Sequence, residues 1–218
     1  MKHKKLMKRL AEAKAADVSY TSGWDSWKVL DYSDSLVLAV SECDYVLDGF
    51  RLIPLSGIES LKPRKPIQAE IERSYGLYEH LQIPELDLTD WRTALEGLSK
   101  IEAFLSVEWR GEDGYFCWRI GRIERVKKHS LILRAFDANA VWQEPQKIPF
   151  DAIHIASFGD RYAEGWKLWF ERHSDSAMSD DEIIDLAAAR ILEQYKPAFH
   201  ALAKNDIDTG PGTHPSDF

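Results

Sequence analysis

The feature that most constrains this chain is that it states one pattern twice. Ile53-Pro54-Leu55 with Ile58 returns as Ile148-Pro149-Phe150 with Ile153, 95 residues later. The same spacing carries Ser35-Leu36-Val37-Leu38 onto Ser130-Leu131-Ile132-Leu133. A self-match at one period marks a duplicated structural unit, and it takes precedence over local motifs. Upstream, Val29 falls near Ile123 after a one-residue slip. Downstream, Arg73-Ser74-Tyr75 matches Asp160-Arg161-Tyr162 only after a deletion. Slips belong in turns, which tolerate length changes that strands do not.

Each copy reads as a short meander. In the first, residues 27–30 are strand-like, "DYSDS" is a polar turn, Leu36 to Val40 is an aliphatic run, and Phe50 to Leu55 follows the loop "SECDYVLDG". In the second, the strands are Phe116–Val126, Leu131–Phe136, Lys147–Phe150 and Ile153–Ala156, with the turn "KKHS" and the loop "DANAVWQEP" between them. Pro54 and Pro149 donate no ladder hydrogen bond, so each belongs at a strand end, bulge or edge. A helix is expected before each copy. The first carries Leu6 and Leu10 on one face; the second spans about Asp87 to Ser99, capped by Thr89 or Asp87, with Trp91, Leu95 and Leu98 as its stripe. A further helix opens at the capping box Ser179-Asp180-Asp181-Glu182, runs through "IIDLAAARILEQY" and ends or kinks at Pro197.

Leu36-Val37-Leu38, Asp48-Gly49 and Ile53-Pro54-Leu55 with Ile58, echoed by Leu131-Ile132-Leu133 and Ile148-Pro149-Phe150 with Ile153, resemble the Sm-like (LSm) small β-barrel, related in shape to SH3-type barrels, and a group of uncharacterised bacterial proteins in particular. The second copy has no glycine matching Gly49. The resemblance covers about residues 18–78 and 104–169. It implies a mainly β fold with flanking helices: two tandem Sm-like barrels plus a C-terminal helix. The expected divisions are 1–85, 86–172 and 173–218. Sm-like proteins bind RNA through loops and close into rings through strand edges, so the resemblance also implies an RNA or protein partner and a homo-oligomer built through barrel edges. Tyr45 and Trp142, in equivalent loops, could stack a base, and the basic turn Lys127-Lys128-His129 could contact phosphates.

Composition narrows the classes. A net charge of −8 disfavours non-specific nucleic-acid binding, DNA in particular, although the first sixteen residues are basic. Two cysteines, Cys43 and Cys117, with no Cys-x-x-Cys pair, fit a reducing compartment and small buried hydrophobes. No apolar window is long enough for a membrane span, so a cytoplasmic location is expected. No nucleophile elbow, phosphate-binding loop, zinc helix or dinucleotide fingerprint occurs, and no cofactor or metal is expected. His154, between two isoleucines, reads as an exposed strand residue. The leading expectation is a non-enzymatic binding or assembly module. The alternatives are an RNA-binding Sm-like protein and an enzyme with its site in the groove between the barrels.

Overall fold

The computed structural model describes residues 3–15, 20–22, 25–58, 61–63, 65–102 and 104–173, with isolated positions 188, 192, 195 and 196. The chain divides into two compact units, residues 1–167 and 168–218. In the second, the Trp169 and His173 rings stack at 4.2 Å. The helix expected from Ser179 lies largely outside the described residues. Among the described residues, no helix is long and apolar enough to cross a membrane.

Two repeats occupy the first unit, and the last helix of the second repeat continues past residue 167. Repeat 1 comprises α1 (His3–Ala15), β1 (Tyr20–Ser22), β2 (Asp25–Tyr32), β3 (Leu36–Cys43), β4 (Val46–Pro54), β5 (Lys62–Pro63) and α2 (Pro66–Ser74). Repeat 2 comprises α3 (Trp91–Ile101), β6 (Leu105–Arg110), β7 (Phe116–Val126), β8 (Ser130–Ala135), β9 (Gln146–Pro149), β10 (Ile153–Phe158) and α4 (Arg161–Arg172). All the strands join one antiparallel sheet in the order β5-β1-β2-β3-β4-β10-β6-β7-β8-β9. The two halves of that order are the same arrangement written twice. The barrels expected from the sequence are instead two five-strand runs of a single open sheet, whose end strands β5 and β9 each pair on one side only among the described residues.

Hydrogen bonds fix the repeat more closely than letters do. Leu55 N–H donates to the Ser35 carbonyl (2.8 Å) and Phe150 N–H to the His129 carbonyl (3.2 Å), so Ser35 corresponds to His129. Val37 lies opposite Ile53, and Leu131 opposite Ile148. Hence β4 and β9 are 95 residues apart but β3 and β8 are 94 apart, and the extra residue sits in the β8–β9 connection. The 95-residue match of Leu36 to Leu131 is therefore wrong by one place, which in a strand means the opposite face. The 94-residue spacing continues upstream: a bulge at Leu30 between Val29 and Asp31 recurs at Glu124 between Ile123 and Arg125. Pro54 and Pro149 each precede a single 3-10 turn, Leu55–Gly57 and Phe150–Ala152. The trailing helices, not anticipated from sequence, start at Pro66 and Arg161, again 95 apart, so no deletion is needed there.

The continuous aliphatic run of β3 is explained by burial on both faces. Val37 and Ala39 join Leu6, Leu10, Trp27, Val29, Ile53 and Ile58 in one core. Leu36, Leu38 and Val40 face the other core, with the α3 residues Trp91, Ala94, Leu95 and Leu98 and the repeat 2 residues Leu131, Leu133 and Ile148. The α3 stripe thus seals apolar surface of both repeats, and burying each large aliphatic side chain contributes about 1.5–3 kcal/mol. Its N-cap is Asp90, whose carboxylate accepts from Thr93 N–H (2.9 Å), one residue after Thr89 and three after Asp87, the caps expected from sequence.

The repeats meet at a seam where β4 pairs with β10: Phe50 opposite Phe158, Arg51 opposite Ser157, Leu52 opposite Ala156. The Phe50 and Phe158 rings stack at 5.4 Å. Gly49 permits the approach. Its φ is +73°, and a Cβ there would lie 2.5 Å from Asp160 N and 2.6 Å from the Phe158 carbonyl oxygen. Beside it, Asp48 accepts from Arg161 Nε (3.0 Å) and from Arg161 N–H (3.2 Å). Burial pushes the Asp48 carboxyl up, but the Arg161 hydrogen bonds and the Arg161 and Arg51 charges together hold it below its ordinary 3.8. Asp160 is raised above 3.8 by burial and by the nearby Asp48 charge, against N–H bonds from Ala163 and Tyr162.

Candidate functional site

The turn Lys127-Lys128-His129 joins β7 to β8, closed by Lys127 N–H to the Ser130 carbonyl (2.8 Å). Together with Lys147 on β9 and Asp151 in the following 3-10 turn, it lines an open depression of about 680 Å³. Lys127, Lys128, His129 and Lys147 are all exposed. Folding does not demand those cations. The matching turn of repeat 1 is built from Ser33, Asp34 and Ser35, with the same closing bond from Ser33 N–H to the Leu36 carbonyl (2.8 Å), and Leu52 stands where Lys147 does.

Register extends this corner into a strip. Arg122 lies opposite Arg134 and Arg125 opposite Ile132 across β7–β8, and Ile132 lies opposite Lys147 across β8–β9. Side chains directly opposite share a face, as do those two apart, so Arg122, Arg125, Arg134 and Lys147 project from one face of repeat 2. All four are exposed, while Leu131, Leu133 and Ile148 fill the core behind them. At the far end of the strip the Arg122 guanidinium lies 5.2 Å and that of Arg134 5.8 Å from the centre of the Trp142 ring. The strip was missed from sequence because the β7 bulge breaks the alternation that would have put Arg122 and Arg125 on one face.

The five residues singled out from sequence fall in three places. Lys127, Lys128 and His129 sit at one end of β8. Trp142 bridges Phe136 past the other end, about 20 Å away at a strand's rise per residue. Its ring lies nearly parallel to that of Phe104 (6.2 Å) and edge-on to Phe136 (5.5 Å). Tyr45 belongs to repeat 1, at φ +63° in the β3–β4 turn; its N–H donates to the Glu42 carboxylate, and its ring stacks on Tyr75 at 6.2 Å. Both aromatic rings are thus engaged within the chain.

Other titratable groups are arranged differently. Lys28, Glu42 and Glu72 are buried (8%, 4% and 2% exposed), with the Lys28 ammonium 4.0 Å from the centre of the Tyr78 ring. None of these three buried charges was singled out from sequence. At the seam, Asp48 binds Arg161, and Asp160 accepts from Ala163 N–H (2.7 Å). The depression opens at the β7–β8 turn, away from the seam. His154 is exposed, edge-on to Phe116 at 5.5 Å. Both cysteines are free, and Cys43 is exposed, not buried as expected. Among the described residues no group of three or more His, Cys, Asp or Glu side chains could hold a metal.

No family model, curated protein or solved structure matches this chain. What the site does must be read from its own charge and geometry. Six cations spread over one face of three neighbouring strands and the β7–β8 turn suit an extended polyanion better than a small substrate, which needs convergent groups around an enclosed pocket.

Proposed function

We propose that this protein is a non-enzymatic cytoplasmic binding module in which two Sm-like units are fused through one sheet, and that repeat 2 binds single-stranded RNA. The observation that carries this reading is the basic strip Arg122, Arg125, Arg134 and Lys147 running into Lys127 and Lys128, set in a chain whose net charge is −8. Such local concentration of cations, which the equivalent turn of repeat 1 does without, is the footprint of phosphate recognition. A strip of about 20 Å spans three or four extended nucleotides. Trp142 holds the two arginines at one end by cation–π contact, so its role is to position them.

The test is fluorescence anisotropy with a labelled single-stranded RNA across salt concentration, with single-stranded DNA and duplex RNA as parallel arms. Neutralising about four phosphates predicts a log–log slope near −3, a loss of roughly fifty-fold between 50 and 200 mM salt. The pair Arg134→Ala with Lys147→Ala should weaken binding about fifteen-fold and make the slope shallower by roughly 1.4, whereas Lys8→Ala on α1 should change neither. No binding at low salt, or equal loss from Lys8→Ala, refutes the proposal.

A further inference from the structure

The seam between β4 and β10 depends on particular residues, and β9, the strand that corresponds to β4, has lost each of them. In β4 the backbone groups of Phe50 and Leu52 point away from β3, because Leu55 and Ile53 take the bonded places opposite Ser35 and Val37. Those outward groups meet Phe158 and Ala156 of β10. In β9 the bond from Phe150 N–H to the His129 carbonyl sets the same alternation, so Pro149 and Lys147 face the side away from β8, which pairs with no strand among the described residues, and Pro145 is the next outward place. At the 95-residue spacing, Pro145 replaces Phe50 and Lys147 replaces Leu52. Glu144 replaces Gly49, the one residue that lets Asp160 approach, and Gln143 replaces Asp48, the partner of Arg161.

We infer that β9 is a closed edge: the chain makes its inter-repeat seam once, internally, and does not add further copies of itself through β9. Two prolines remove two of three outward N–H donors, and the third belongs to a lysine, whose charge must be desolvated before another strand can dock. The stacked aromatic pair and the glycine that admits the neighbouring backbone are also gone. The edge-paired homo-oligomer implied by the Sm-like resemblance is thereby blocked at this strand, and partners are left to the sheet faces.

The test combines light scattering of the full chain over its accessible concentration range with backbone amide exchange. The expected result is one species at 25.0 kDa, with the Lys147 amide exchanging on the order of a hundredfold faster than the Leu52 amide at every concentration. If larger species occur, Lys147→Pro separates the cases, since it removes the last outward N–H, along with the lysine charge, and leaves the bonds from β9 to β8 in place. Larger species unchanged by it associate elsewhere, and the closed edge stands. Larger species that it disperses while circular dichroism and melting stay those of the parent overturn the inference, as does a Lys147 amide whose protection rises with concentration in the unmodified chain.

Discussion

Replacing Gly49 by alanine tests the seam in a way that can be separated from ordinary glycine effects. At φ +73° an alanine adopts a left-handed conformation costing about 1–2 kcal/mol. The new Cβ also falls within 2.7 Å of three backbone atoms, Asp160 N, Asp160 Cα and the Phe158 carbonyl oxygen. Backbone cannot swing aside as a side chain can, so β10 or the start of α4 must shift, at a cost typical of overpacking, about 1–3 kcal/mol. The sum is about 3 kcal/mol, which for a chain of this size lowers Tm by roughly 6–12 °C. Gly114 supplies the control: its φ is +82°, and a Cβ there meets nothing within 4 Å. Gly114→Ala should therefore carry the conformational cost alone, a drop of roughly 2–8 °C. Thermal melts of both variants, followed by circular dichroism and checked by urea titration, give the comparison. Equal losses at the two positions would refute the close approach of β4 to Asp160.

The carboxylates beside that glycine should titrate in opposite senses. Asp48, held below 3.8, stabilises the fold above its ordinary value and loses that contribution as pH falls through its folded value, so Asp48→Asn should blunt the decline in Tm on acidification. Asp160, raised above 3.8, has its contribution fully present below its ordinary value and loses it as pH rises through the folded value, so Asp160→Asn should remove that part of the slope while keeping the cap on Ala163. Leu95→Ala, at a side chain with no exposure in the core shared by both repeats, should cost about 3 kcal/mol in urea unfolding. Asp90→Ala should cost about 1 kcal/mol through loss of the α3 cap, read in the same assay.

The duplication was legible because strand interiors carry it: Ile-Pro-aromatic or Ile-Pro-Leu before a 3-10 turn is a strand stop whose chemistry cannot drift far. Register was not legible, because one added residue in the loop before Pro145 moves letters without moving hydrogen bonds, and only bonds such as Phe150 to His129 reveal which alternation is in force. The single open sheet was hidden for a similar reason. Asp48, Gly49 and Phe50 look like a loop leading into a strand until β10 and the start of α4 supply their partners, more than a hundred residues away. Lys127, Lys128 and His129 were visible as a basic turn, whereas Arg122, Arg125, Arg134 and Lys147 become one surface only after three strands align. Tyr45 and Trp142 were found by residue type, and their ring partners Tyr75 and Phe104 lie too far along the chain to be guessed.

The claim beneath the rest is that two equivalent units share one antiparallel sheet through β4 and β10. In that pairing Arg51 and Ser157 form the non-hydrogen-bonded pair between the bonded pairs at Phe50 and Leu52, a position where the two Hα atoms approach most closely. A nuclear Overhauser spectrum of the labelled protein should show a strong Arg51 Hα to Ser157 Hα cross-peak. Its absence, with Ser157 Hα instead contacting a strand other than β4 or β6, would contradict the account.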